Sequence, residues 1–173
     1  IIIALLLGAW IGGLFSPADG YSSVYGSDIA VIPLKGTIES DADRFADYFS
    51  SREIKGYIEQ ADEDASIAAI LLEINSPGGG VVASKEIANA VFAANKPLVA
   101  YIGDVGASGG YYAASAADYI IADEDSITGS IGVIAMVPSL QGFLEDYNIN
   151  VQVLKHGRYK AMGSLFENLD AEE

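Results

Sequence analysis

The sequence predicts an α/β protein organised on a parallel sheet, and three observations carry that prediction. Apolar runs of strand length recur at residues 29–34, 67–74, 97–102 and 119–122. The second of these, Ile-Ala-Ala-Ile-Leu-Leu-Glu-Ile, is almost uninterrupted, as a strand covered on both faces requires. Stretches with helical spacing stand between the runs, and strands alternating with helices at short intervals imply a parallel sheet wrapped by helices.

Taken in order, residues 29–34 form a first strand, and Pro33 within it suggests a sheet edge or a strand end. Residues 41–51 are polar and read as loop or short helix. Residues 53–65 have helical spacing, with Ile54, Tyr57, Ile58 and Ala61 on one face. The strand at 67–74 is broken by Asn75-Ser76-Pro77-Gly78-Gly79-Gly80. A helix at 82–94 turns Ile87, Val91 and Phe92 inward. The strand at 97–102 leads into Val105-Gly106-Ala107-Ser108-Gly109-Gly110-Tyr111-Tyr112, which opens an alanine-rich helix. A strand at 119–122, a turn at 123–126, a strand at 131–137, a helix at 139–146 and a strand at 151–154 complete the pattern. No internal repeat is visible.

The flanks differ in character. Residues 1–15 are apolar and uncharged, and as a helix would span about 22 Å, short of a hydrocarbon core of roughly 30 Å. They read as an N-terminal membrane anchor cut at its start, with a cleaved signal sequence as the competing reading. Residues 16–28, rich in Gly, Ser and Tyr, are a linker, and 29–173 form the folded domain. Asp170 and Glu173 read as the cap and box partner of a helix that is then cut off.

Composition narrows the chemistry. A chain of 173 residues that is 51% hydrophobic supports one sizeable core. Cysteine is absent, which excludes disulfides, thiolate metal sites and a cysteine nucleophile. Neither a cofactor nor a metal is implied. A net charge of −15 argues against nucleic acid and against adhesion to anionic lipid.

In α/β sheets function gathers beyond the carboxyl ends of strands. Four segments are candidates: 76–80, Ser108, 128–132 and 157–160. Ser108 sits where a strand hands over to a helix among small residues. It is either an exposed nucleophile or a helix N-cap. The glycine triplet can present backbone N–H groups to an oxyanion or form a plain tight turn. A nucleophilic serine needs a base. His156 is the single histidine, and a Ser-His-Asp arrangement would have to run through it, yet no aspartate is placed to orient it. Lys160 is the other option. A lysine serves only when neutral, so it must be desolvated. Ser130 can supply a hydroxyl to hold it.

As a set, Ile74-Asn75-Ser76-Pro77-Gly78-Gly79-Gly80, Gly103-Asp104-Val105-Gly106-Ala107-Ser108-Gly109-Gly110-Tyr111-Tyr112, Ile127-Thr128-Gly129-Ser130-Ile131-Gly132-Val133 and Gly157-Arg158-Tyr159-Lys160 resemble the signature segments of the signal peptide peptidase A family, in its order and at its intervals. The resemblance covers about residues 29–164. It implies a Clp-protease/crotonase-like α/β fold, a parallel sheet with repeated β-β-α turns flanked by helices. It also implies a membrane-anchored serine peptidase with a Ser-Lys dyad. By position the nucleophile carries over to Ser108, the base to Lys160 and the hydroxyl that holds the lysine to Ser130. The oxyanion donors carry over to the backbone N–H groups of Gly79 and Gly109. The implied partners are peptide substrates, among them remnant signal peptides, the membrane through the N-terminal helix, and further copies of the chain. The implied location is the cell membrane, single-pass, with the catalytic domain on the extracytoplasmic side.

Two departures accompany the resemblance: the family usually has a proline near Leu165 and continues well beyond residue 173. The related Ser-Lys proteases that act on stomatin-type proteins have a serine segment resembling Ala-Ser-Ala-Gly, unlike the Ala-Ser-Gly-Gly-Tyr-Tyr here. An acyl-CoA enzyme of the crotonase fold shares the paired N–H site but would want basic or adenine-binding features. A catalytically silent tethered module is the remaining alternative.

Overall fold

The computed structural model describes residues 22–23, 28–41 and 50–169. The expected anchor, most of the linker, much of the polar stretch after residue 41 and the helix start at 170–173 lie outside the described residues. The chain divides into two units, residues 1–132 and 133–173.

The first unit holds the sheet. Its strands are β1 (Ser22–Ser23), β2 (Ile29–Ile38), β3 (Ala69–Gly79), β4 (Leu98–Ala107), β5 (Tyr119–Ala122) and β6 (Ile127–Gly129). β2, β3, β4 and β5 lie side by side in chain order and run parallel. β1 pairs antiparallel with β2 at Ala30 and Val31, so the expected linker contributes a strand. Pro33 falls outside that pairing and lies opposite Glu73 of β3, in keeping with an edge position. β4 changes partner midway: residues 99–102 pair with β5 and residues 105–107 with β6.

Three helices connect these strands: α1 (Ser51–Glu63), α2 (Val81–Ala93) and α3 (Gly109–Ala114). α1 begins two residues before its expected start because Ser50 and Glu53 form a capping box, satisfying two N–H groups that a helix start leaves unpaired. Ile54, Ile58 and Ala61 are buried on its inner face and Tyr57 packs against them, as the spacing predicts. Each isoleucine so buried contributes about 1.5–3 kcal/mol. The far end of α1 is tied down by Asp62. Its carboxylate accepts from the backbone N–H groups of Asn95 and Lys96 and from the Asn95 side-chain amide, each at 2.9 Å.

Every buried apolar side chain among the described residues lies between Ala30 and Ala114. Along β3 the core residues Ile70, Leu72 and Ile74 alternate with partly exposed ones. α2 buries Ala83, Ile87 and Val91, but Phe92 is 82% exposed, against expectation. The reason is angular: at about 100° per residue, position 92 lies some 140° from Ile87, whereas position 91 lies 40° away.

The second unit has one helix among its described residues, α4 (Gln141–Asp146), inside the expected span of 139–146. Its C-terminal turn is closed by Asn148 N–H to the Glu145 carbonyl and Ile149 N–H to that of Leu144. The strands expected at 131–137 and 151–154 do not form. Both runs are apolar, but among the described residues neither is paired with a strand that would complete its hydrogen bonds. A cleft of about 600 Å³ lies among Gln141, Leu144, Asn148, Val151 and Phe166, and none of the expected catalytic residues lines it. Among the described residues no helix is long and apolar enough to cross a membrane.

Candidate active site

Ser108 follows the last residue of β4 and precedes the first of α3. Its backbone has φ 50° and ψ −118°, a region that side-chain-bearing residues seldom enter and that costs of order 1–3 kcal/mol. Ser108 occupies the N-cap position of α3, as the cap reading expects, but its side chain makes no capping hydrogen bond. Instead the main chain holds the turn: the Ser108 carbonyl accepts from Tyr112 N–H at 2.9 Å, and Ser108 N–H donates to the Gly129 carbonyl at 2.7 Å. The hydroxyl is left at a partly exposed position with no structural task. That is the arrangement a nucleophile at a strand-to-helix elbow needs.

Around Ser108 the chain is built of residues that cannot carry a side chain. A Cβ added to Gly78 would stand 2.6 Å from the Gly109 nitrogen and 2.9 Å from the Ser108 Cβ, and Gly78 has φ 94°. A Cβ on Gly79 would meet the Ile38 nitrogen at 2.6 Å. A Cβ on Gly109 would collide with the hydroxyl of Ser84, a buried residue of α2. The 78–79 strand end and the 108–109 turn are therefore in backbone contact. Since Ser108 N–H is committed to Gly129, the next amide along, Gly109 N–H, is one of those a helix start leaves without an intrahelical acceptor.

Ser130 belongs to the same neighbourhood. It follows Gly129, which lies opposite Ala107 in the β4–β6 pairing, and it too has positive φ, 52°. Ser130 is exposed. The first unit thus brings together Ser108, Gly79, Gly109 and Ser130. Lys160 belongs to the second unit, in a run of turns where its N–H donates to the Gly157 carbonyl at 3.3 Å, and its side chain is exposed. His156 is exposed two residues before Arg158, whose guanidinium lies 5.4 Å from the centre of the Tyr159 ring.

Two buried hydroxyls behind the site, Ser76 and Ser84, received no role from the sequence. Ser84 donates to the Gly80 carbonyl at 2.9 Å, a bond from one helical turn to the residue preceding it. A small polar residue in the first turn after a glycine triplet is the signal that marks it.

Parallel strands wrapped by helices, with glycine main chain gathered at the carboxyl ends of β3 and β4, form an α/β fold of the Clp-protease/crotonase-like kind. Solved structures agree on the fold. The chain superposes on an enoyl-CoA hydratase/isomerase family member with TM-score 0.52 and 20% identity, over 65% of this chain and 50% of that one. It superposes on the membrane-bound stomatin-specific protease 1510-N with TM-score 0.53 and 23% identity, over 62% and 49%.

Sequence relatives narrow the class. Residues 90–173 match the model of peptidase family S49. The chain is 35% identical to the protein named "Putative protease MJ0651" of Methanocaldococcus jannaschii, over all of this chain and 58% of that protein. It is 36% identical to Protease 4 of Haemophilus influenzae, over 70% of this chain and 20% of that one. The match to peptidase family S49 and the likeness to proteins named Protease 4 and signal peptide peptidase SppA support the signal peptide peptidase A family. It spans little more than half the length of the first of these relatives and a fifth of the second.

Proposed function

We propose that this protein is a serine endopeptidase with a Ser-Lys dyad, acting on apolar peptides at a membrane face, remnant signal peptides among them. The observation that carries the reading is Ser108. It is held in a strained backbone conformation, free of any capping bond, and abuts two glycine segments.

In this reading the Ser108 hydroxyl attacks the scissile carbonyl while its proton passes to the neutral amine of Lys160. The carbonyl oxygen takes up the negative charge, and the backbone N–H groups of Gly79 and Gly109 stabilise it. Collapse of the tetrahedral intermediate expels the amine of the leaving peptide, which takes the proton from Lys160. Water then repeats the sequence on the acyl-enzyme and releases Ser108. Ser130 holds the lysine. A neutral lysine needs cover, and in this reading copies of the chain complete one another's sites. The anchor in this reading is residues 1–15, with the domain on the extracytoplasmic side.

Digestion of a synthetic signal peptide tests the reading. The wild-type chain cleaves it, whereas Ser108→Ala, folded by circular dichroism, loses at least a thousandfold in kcat/KM. A Ser108→Ala protein with near wild-type cleavage overturns the assignment.

A further inference from the structure

The hydroxyl of Ser76 stands at a defect in the sheet. Between β2 and β3 the register passes from Lys35 opposite Asn75 to Thr37 opposite Gly78, so Ser76 and Pro77 together face Gly36 alone. That is a bulge, with one extra residue in β3. On the other side the register also slips, from Ile74 opposite Ile102 to Ser76 opposite Gly106. A bulge deprives main-chain groups of their ladder partners, and buried groups left unpaired are costly. Here the fully buried Ser76 hydroxyl takes their place. It donates to the Gly36 carbonyl at 2.6 Å and accepts from Gly78 N–H at 3.1 Å.

The same residue underlies the turn that carries Ser108. A Cβ added to Gly110 would stand 2.9 Å from the Ser76 carbonyl oxygen and 3.3 Å from the Ser76 Cβ. Ser76 therefore touches both halves of the glycine-lined site. Through its hydroxyl it fixes Gly78, next to Gly79. Through its main chain it sets how closely α3 approaches.

The geometry points to Ser76 as the positioning residue of the oxyanion site: its hydroxyl, by holding the bulge closed, sets the separation between the 78–79 amides and the 108–109 turn. Ser76 touches no reacting atom. It acts by keeping Gly79 N–H where a tetrahedral oxygen forms, so its loss weakens binding of that oxygen and leaves ground-state peptide binding alone. This rests on the peptidase reading of Ser108.

The test compares the full wild-type chain with Ser76→Ala, Ser76→Cys and Ser108→Ala. Wild type and the Ser76 variants are measured for peptide cleavage per labelled serine, with the active fraction counted by fluorophosphonate, and Ser108→Ala is measured per chain. Inhibition by a peptide aldehyde, whose hemiacetal oxygen occupies the oxyanion site, is measured alongside. For Ser76→Ala we expect kcat to fall by about tenfold to a hundredfold, KM to stay within twofold, and the aldehyde Ki to rise in step with the fall in kcat. Ser76→Cys is slightly larger and keeps a weaker hydrogen-bonding group, falls less, and is read in place of the alanine variant should that one not fold. A purely structural serine would lower the labelled fraction without moving kcat or Ki per site, and that result overturns the proposal. Ser108→Ala separates the two levels. If it is inactive while the Ser76 variants keep wild-type kcat and Ki, only the role of Ser76 falls. If it is active, the peptidase reading falls and the role of Ser76 with it.

Discussion

Ser108 gives its backbone N–H to the carbonyl of Gly129 at 2.7 Å, so the strand that leads into Ser130 is fastened to the residue proposed as nucleophile. The bond does two things at once. It removes Ser108 N–H from the set of amides available to a substrate oxygen, leaving Gly109 N–H next in line. It also fixes where the chain goes after β6, and hence where the Ser130 side chain starts.

The strain at Ser108 has a measurable signature. Glycine enters the region near φ 50° and ψ −118° without the steric cost that any Cβ incurs. Ser108→Gly should therefore be more stable than Ser108→Ala by about 1 kcal/mol, read from denaturant midpoints at constant slope. Equal midpoints would mean that the turn is unstrained.

Gly78 tests the contact between the two glycine segments. A methyl group there would press on the Gly109 nitrogen and the Ser108 Cβ at a residue whose φ is 94°. Gly78→Ala should lose about 1–3 kcal/mol of stability, in the range of other overpacked sites, and nearly all peptidase activity. Thermal melting and the peptide assay check the two effects separately.

Complementation tests whether copies complete one another. Ser108→Ala and Lys160→Ala are each expected to be inactive, and mixing them after partial unfolding should restore part of the activity. Lys160→Arg should not substitute for lysine in any mixture, because a guanidinium stays protonated at any usable pH. Silence from demonstrably mixed oligomers would place the dyad within one chain.

Asp62 makes a prediction about acid stability. The Asn95 side-chain amide first, then the Lys96 backbone N–H, hold its carboxyl below the ordinary value, against a smaller opposing effect of burial. A carboxyl lowered on folding contributes stability that is present above the unfolded-state value near 3.9 and lost as pH falls through the lower, folded value. The melting temperature of the wild-type chain should thus drop below about pH 4 more steeply than that of Asp62→Asn. Parallel pH profiles would show that the bonds from Asn95 and Lys96 do not favour the charged form.

Much of this organisation was legible in the sequence because burial writes a regular pattern. Ile54, Ile58 and Ala61 recur at helical spacing, and Ile70, Leu72 and Ile74 recur in a near-continuous strand. Ser108 was legible as a handover between elements, but not its positive φ, which no composition records. What was missed depends on partners. The sequence Asn-Ser-Pro-Gly-Gly reads as a break, yet β3 runs through it, because the Ser76 hydroxyl supplies the bond that the bulge removes. Phe92 was assigned inward by its hydrophobicity when its angle on the helix points it out. The runs at 131–137 and 151–154 have strand composition but pair with no strand among the described residues, and Ser22–Ser23 pair in a strand too short to show any period. The Ser50 capping box, by contrast, was plain in Ser-x-x-Glu and could have placed the start of α1.

The shared edge of β4 turns the connection between β5 and β6 into a ruler. Both strands lie along one side of β4, end to end, and the turn between them is pinned to that strand where its partner changes. The Ser126 hydroxyl donates to the Gly103 carbonyl, and Asp123 N–H donates to that of Ile102. One residue more or fewer in that turn would slide β6 by about 3.3 Å along its track and exchange the faces of its side chains. Ser130 would then leave the neighbourhood of Ser108 although neither serine had changed. The length of this turn is thus as much a part of the proposed site as its hydroxyls, and a deletion there is expected to lower peptide cleavage although Ser108 and Ser130 are untouched.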